Sequence, residues 1–297
     1  MRIAFFGLPL AAVLLAGDGR ELVYAGLLPE KGIRRLKRIL PRALHVMPDL
    51  STEATVRSVR EARPELLVSW FWPKRIPTSI LDLAPAVGVH PSLLPRLRGP
   101  DPYFWSIDRG DEIAGVSAHL LEERYDTGAI LAQRSIRIEP GWNAWHLAKA
   151  LDRPSLALLR EIVGAYAVNR PPMPHPQDEA AATMAPAPLE ADLAVRWSWP
   201  AERIARRVRA AAPWPGMWTE IGTELVVLTQ ARATGDFPRT LLPAEAAVRP
   251  DGVAVVRAGE GALELLEGRA EEGAPLAFRD LARIVAKTRD RSQAPKG

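Results

Sequence analysis

His90 closes the short apolar run Ala86-Val87-Gly88-Val89-His90, and Asp126 opens Asp126-Thr127-Gly128 further along the chain. Imidazole is the side chain whose ordinary pKa, about 6.5, lets it take up and release protons near neutral pH. A carboxylate brought beside such a ring orients it, so the two residues form a candidate acid–base couple. Pro91-Ser92-Leu93-Leu94-Pro95 follows the histidine, and then Arg96, Leu97, Arg98 and Gly99. Two guanidinium groups at that place suit a carboxylate or phosphate on a substrate, or else sit on a solvated loop. Plainer readings exist for the couple as well: a strand-end histidine satisfied by backbone, and a turn aspartate ahead of Thr127-Gly128.

The elements around these residues follow from the pattern. Residues 86–90 read as a buried strand, and Gly88 and His90 share one of its faces. Pro91 cannot donate to a sheet ladder, so the strand ends at His90, at an edge where open α/β sheets bind ligands. Further strands are expected at 2–6, 21–27, 45–47, 65–69, 114–121 and 130–138. Helices are expected at 10–16, 31–42, 51–62, 75–83, 102–109 and 142–168, with Pro154 kinking or splitting the last. This alternation predicts a parallel or mixed sheet covered by helices on both sides. Residues 169–196 are proline-rich, which is linker chemistry. Beyond them come a basic helix at 201–211 (Arg203, Arg206, Arg207, Arg209) and short strands at 219–221, 224–228, 253–256 and 262–266. Short strands joined by turns predict a small open barrel, closed by a helix at 277–285 and a frayed tail after Arg289. The expected organisation is thus 1–168, a linker at 169–196, and 197–297.

Composition narrows the chemistry. The 297 residues are 47% hydrophobic and carry a formal net charge of +4, which allows a nucleic-acid partner without requiring one. There is no cysteine, so disulfides, thiolate catalysis and cysteine metal sites are excluded. His45, His146 and His175 lack metal-ligand spacing, and no Walker loop, H-E-x-x-H or G-x-G-x-x-G is present, so no metal is expected. His119, on a strand, reads as a packed histidine able to approach the same sheet edge. Met1-Arg2 and the apolar run after it superficially resemble a secretory signal, but Gly7 and Pro9 interrupt it, so a cytoplasmic protein with no membrane span is expected. Residues 31–42 hold Lys31, Arg34, Arg35, Lys37, Arg38 and Arg42 without an acid, either a solvated face or a phosphate-contacting surface.

The motif H-P-S-L-L-P-x-x-R-G followed by D-T-G resembles the folate-dependent formyltransferases, with a Rossmann-like catalytic domain and an OB-like C-terminal barrel. The resemblance continues through G-V-S-A-H-L-L-E-E-R-Y-D-T-G, A-A-T-M-A-P, R-W-S-W-P-A-E-R-I and P-W-P-G-M-W, which follow the order of methionyl-tRNA formyltransferases. It implies transfer of a formyl group from 10-formyltetrahydrofolate to an amine, with initiator methionyl-tRNA as the expected partner. It implies His90 and Asp126 as catalytic residues. It implies a folate pocket lined by Trp70, Phe71, Trp72, Val87, Leu121, Glu122 and Tyr125, and substrate or phosphate contacts by Arg34, Arg35, Arg38, Arg96 and Arg98. One position departs. The family's usual Asn is Gly88 here, which removes a donor for the developing oxyanion. In other acyl-transfer sites such a loss costs roughly 100- to 1000-fold in turnover. The alternatives left open are a smaller amine such as an amino sugar, hydrolysis of the donor, and a silent folate- or RNA-binding protein.

Overall fold

In the computed structural model, residues 1–30, 33–40 and 42–293 are described, except for the side chains of Arg35 and residues 288–293. Lys31, Gly32 and Pro41 of the expected basic helix at 31–42 lie outside the described residues, as do 294–297 of the expected tail. In chain order the elements are β1 (Arg2–Gly7), α1 (Pro9–Gly17), β2 (Glu21–Leu27), α2 (Ile33–Ile39), β3 (Leu44–Val46), α3 (Glu53–Glu61), β4 (Leu66–Trp70), α4 (Thr78–Leu81), β5 (Ala86–His90), α5 (Pro102–Arg109), β6 (Ile113–Leu120), β7 (Ile130–Arg137) and α6 (Ala144–Ala167). After these come α7 (Glu190–Leu193), α8 (Ala201–Ala211), β8 (Met217–Ile221), β9 (Glu224–Thr234), β10 (Ala246–Val248), β11 (Ala254–Arg257), β12 (Ala262–Ala270), β13 (Pro275–Ala277) and α9 (Phe278–Gln293).

Contacts divide the chain into two units. The first holds Met1–Pro102, Ile113–Arg137 and Lys149–Pro186. Its sheet runs β3-β2-β1-β4-β5-β6-β7. The five strands from β3 to β5 are parallel, and β6 and β7 are added antiparallel. Every residue of β5 is buried, as a strand covered on both faces requires, which is why its sequence is apolar without alternation. The order reverses direction at β1 and β4, so the carboxyl ends of β1, β4 and β5 form the edge where this Rossmann-like arrangement binds ligands. Gly7 ends β1 against the Trp70 carbonyl, where a Cβ would collide, so only glycine fits there. Pro154 lies inside α6, which continues through it. The apolar face of Leu151, Leu158, Leu159, Ile162 and Val163 is fully buried, and that packing outweighs the one backbone hydrogen bond a proline removes.

The second unit holds Tyr103–Glu112, Ile138–Ala148 and Ala187–Gly297. Its antiparallel sheet runs β10-β11-β12-β9-β8, with β13 also paired to β12. Register shifts at Leu265, Glu267 and Gly268 bend β12 where it exchanges neighbours, curling the sheet into an OB-like half-barrel. β9 extends to Thr234, β10 and β13 were not expected, and α9 runs on to Gln293, past the residue where fraying was expected. No described helix is long and apolar enough to cross a membrane.

Candidate active site

His90 and Asp126 meet at the carboxyl end of β5. The Nδ1 of His90 lies 3.4 Å from Oδ1 of Asp126. Its Nε2–H donates to the Leu97 carbonyl at 2.8 Å, since a carbonyl can only accept. Asp126 arrives from the loop after β6 in a left-handed conformation (φ 57°), and its Oδ2 accepts the Gly99 N–H at 2.8 Å. Leu97 is also left-handed (φ 59°), which turns its carbonyl onto the ring. Both are sparsely populated conformations for residues with a Cβ, held here by the bonds just named.

A second histidine completes the cluster: His119, which the sequence reads as a packed residue able to approach this edge. His119 on β6 pairs across the sheet with Gly88, and His90 pairs with Ser117. Cross-strand partners share a face, so Gly88, His90, Ser117, His119 and Leu121 all project to the same side. The Nε2 of His119 lies 3.7 Å from the same Asp126 Oδ1, and its Nδ1–H donates to the Leu120 carbonyl at 2.8 Å. Burial pushes the His119 imidazole down to about 4, against the opposing pull of Asp126. Ser117 fixes the following turn: its hydroxyl donates to the Ser92 carbonyl (2.6 Å) and accepts from the Leu94 N–H (2.9 Å) and the Gln133 amide (2.7 Å).

At Gly88, the position of the usual Asn, a Cβ would stand 2.7 Å from Leu121 Cδ2. That side chain therefore covers the glycine. Leu121 also packs against an apolar cluster of Phe6, Tyr24, Leu50, Trp72, Ile76 and Ile80. Trp72 contributes a buried indole N–H with no hydrogen-bond partner. The other expected wall residues do not converge there. Trp70 is buried the other way, its indole N–H donating to Ser155 on α6 at 3.2 Å, so its ring belongs to the core. Val87 is likewise buried, on the strand face opposite Gly88. Phe71 is half-buried and stacks obliquely on Trp70, 4.5 Å between centroids. Glu122 and Tyr125 are exposed on the loop leading to Asp126.

Arg98, expected to face a substrate, is instead spent internally. Its Nε–H and Nη2–H donate to Gln177 Oε1 (3.0 and 2.8 Å), and Nη1–H and Nη2–H donate to the two Glu179 carboxylate oxygens (3.0 and 2.7 Å). Arg96 is exposed on the same turn. Arg34 and Arg38 are exposed on α2, and the Arg35 side chain lies outside the described residues. The partners of Arg98 come from the proline-rich stretch, which the sequence reads as a linker. Gln177 donates to the Asp126 and Gly128 carbonyls (2.8 and 2.7 Å), and Thr183 Oγ1 accepts the Leu97 N–H at 2.9 Å. Residues 183–185 then run beside the turn as an added strand segment. Nothing in composition marks Gln177 or Thr183. The signal is their place within the resemblance: Thr183 is the Thr of A-A-T-M-A-P, and Gln177 precedes that segment.

This arrangement can hold a proton between an imidazole and a carboxylate, beside an apolar wall with one free donor. Among the described residues no group of side chains could hold a metal ion. Residues 38–163 match the formyl transferase family, and residues 190–285 match its formyl transferase C-terminal domain. A methionyl-tRNA formyltransferase of Chloroflexus aurantiacus is 32% identical over 90% of this chain and 91% of its own. One from Roseiflexus castenholzii is 32% identical over 97% of each. Among solved structures, HypX from Aquifex aeolicus in complex with tetrahydrofolic acid superposes with a TM-score of 0.68 at 19% identity. The match covers 97% of this chain but 47% of HypX, so the chain spans about half the length of that protein. An N-formyltransferase from Helicobacter canadensis, with folinic acid and dTDP-3-aminofucose, gives 0.65 at 12% identity over 89% of this chain and 98% of that one. At these identities the two structures speak for the fold alone.

Proposed function

Because the chain belongs to the formyl transferase family, we propose that it moves a formyl group from 10-formyltetrahydrofolate to the methionyl amino group of initiator methionyl-tRNA. The observation that carries the acceptor is the end-to-end similarity, through both family domains, to proteins named methionyl-tRNA formyltransferase. The first unit would do the chemistry. The second, together with the exposed Arg34 and Arg38 of α2, would meet the RNA. The same reading makes the protein a cytoplasmic one.

The residues present fit the donor. The Trp72 indole N–H is buried without a partner beside Leu121 and Ile76, so a flat heterocycle against this wall would find an acceptor's match there. When bound, 10-formyltetrahydrofolate supplies the formyl carbon and N10 as the leaving nitrogen. The chain's residues must then place the amine, move a proton from it toward N10, and stabilise charge on the acyl oxygen. His90 is the group that moves the proton. Both its ring nitrogens are engaged, so it meets the substrate by exchanging the Leu97 carbonyl for it. Asp126 keeps the ring oriented through Nδ1.

Gly88 favours a second reading, in which transfer is slow or goes to a smaller amine, because Leu121 covers the place of the usual oxyanion donor. The deciding assay is release of tetrahydrofolate from 10-formyltetrahydrofolate, with and without charged initiator methionyl-tRNA. Release that depends on the tRNA supports the first reading. Release without it means donor hydrolysis, and release only with an amino sugar moves the acceptor to that class.

A further inference from the structure

Three atoms face one another in the buried cluster: His90 Nδ1, Asp126 Oδ1 and His119 Nε2, with the carboxylate oxygen 3.4 Å from one nitrogen and 3.7 Å from the other. The far nitrogen of each ring is committed as a donor, His90 Nε2–H to Leu97 and His119 Nδ1–H to Leu120. A neutral imidazole carries one N–H, so the nitrogen facing Asp126 is a lone pair on each ring. The second carboxylate oxygen is taken by the Gly99 N–H. Without a further proton, three acceptors would therefore converge with nothing to donate, a repulsive arrangement at 3% exposure for His119 and 7% for His90. One proton placed among them makes one hydrogen bond between Asp126 Oδ1 and either ring, and removes the repulsion on that side. Outside the three, the Arg98 guanidinium also disfavours charge on His119, and it is itself paired with Glu179.

We propose that His119 is a positioning residue of this site, holding the Asp126 carboxylate toward His90 by sharing one proton with the pair. His119 stands directly across the sheet from Gly88, where the usual amide side chain is missing. The proton count also balances in the reaction. The amine forms its bond to the formyl carbon, the bond from that carbon to N10 breaks, and one proton passes from the amine to N10. The cluster lends a proton and recovers one, ending as it began. His119 does not touch the reacting atoms in this scheme; it acts through Asp126.

The kinetic arm of the test rests on the formyl-transfer reading, and the spectroscopic arm does not. In kinetics, His119→Phe lowers kcat about 10-fold, a fraction of the roughly 100- to 10,000-fold that positioned acid–base groups supply, with KM for donor and acceptor within about twofold. His119→Gln, whose amide N–H reaches the same carboxylate oxygen, recovers most of that loss. A His119→Phe enzyme as fast as the wild type overturns the proposal, and so does a His119→Gln enzyme as slow as His119→Phe. In the free protein, 15N-histidine NMR of the Asp126→Asn variant is expected to move both the His90 Nδ1 and the His119 Nε2 resonances. A His119 signal that stays in place overturns the proposal. If the wild type proves silent toward methionyl-tRNA, the acceptor assignment falls and the spectra alone decide whether the proton is shared.

Discussion

His90 and Asp126 were legible because their motif is specific, and because a strand broken by proline delivers a histidine to a sheet edge. His119 was not, because a lone strand histidine carries no sign of what lies across the sheet, and that pairing exists only once β6 folds back antiparallel on β5. Replacing His90 with Ala, or Asp126 with Asn, is expected to cost roughly 100- to 10,000-fold in kcat with little change in fold, read by steady-state kinetics beside circular dichroism. His119 adds a pH dependence to stability. Its folded pKa is depressed from 6.5 to about 4, so between those values the unfolded chain binds more protons than the folded one. The stabilisation it permits is present above pH 6.5 and is lost as pH falls toward 4, at up to about 1.4 kcal/mol per pH unit. Denaturant titrations from pH 7 to 4 should show this slope, flattened in His119→Phe; an unchanged slope would place the titration elsewhere. At Gly88 the backbone accepts a side chain, and only Leu121 Cδ2 stands in the way. Gly88→Asn alone should therefore push Leu121 off its wall and raise KM for the folate. Gly88→Asn with Leu121→Ala should gain in kcat over Leu121→Ala alone, if the amide supplies an oxyanion donor.

Elements were easier to foresee than the joints between them. Parallel strands alternating with amphipathic helices announce themselves by period, and the proline-rich stretch announces only that it is neither. Prolines rule out helix and central strand, but they do not keep a segment off the protein surface, and here His175 pairs with Ile130 while residues 183–185 lie along the turn that carries Arg98 and Gly99. Gln177 is the joint. One side chain spans Asp126, Gly128 and Arg98, with both of its polar ends used. Gln177→Ala leaves two carbonyls of the D-T-G loop and part of the Arg98 fork without partners. Each such loss is worth about 1–3 kcal/mol where the group stays buried. The expected result is a lower kcat with faster amide exchange in residues 126–128, whereas an intact rate would mean that the loop holds its left-handed turn at Asp126 unaided. The guanidinium of Arg98 carries the same lesson. Its sequence neighbours suggested an anion contact, and only the return of residues 177–179 shows that its charge is already spent.

For the molecule as a whole, net charge is a poor guide to where cations are available. The basic helix α8 carries Arg203, Arg206, Arg207 and Arg209, of which only Arg203 is exposed: Arg206 and Arg209 are half-buried and Arg207 is buried. Arg207 is buried in the second unit, forks onto both carboxylate oxygens of Asp108, and donates to the Asp192 carbonyl at 2.9 Å. Its guanidinium also lies 5.3–5.5 Å from the ring centres of Phe104, Trp105 and Trp199. It is thus a fastener for residues 103–112, α7 and α8, all of that unit, and not a contact for RNA. A buried ion pair separates two effects that a surface pair cannot. Removing one partner strands a charge in low dielectric, while removing both and filling the space with apolar groups can be nearly neutral. Arg207→Met should therefore destabilise the protein by about 3–5 kcal/mol, and Asp108→Leu with Arg207→Met should recover most of that loss. Urea unfolding of the two variants decides the matter. If the double variant is as unstable as the single one, the aromatic contacts and the Asp192 bond of Arg207, and not its pairing with Asp108, hold this part of the unit together.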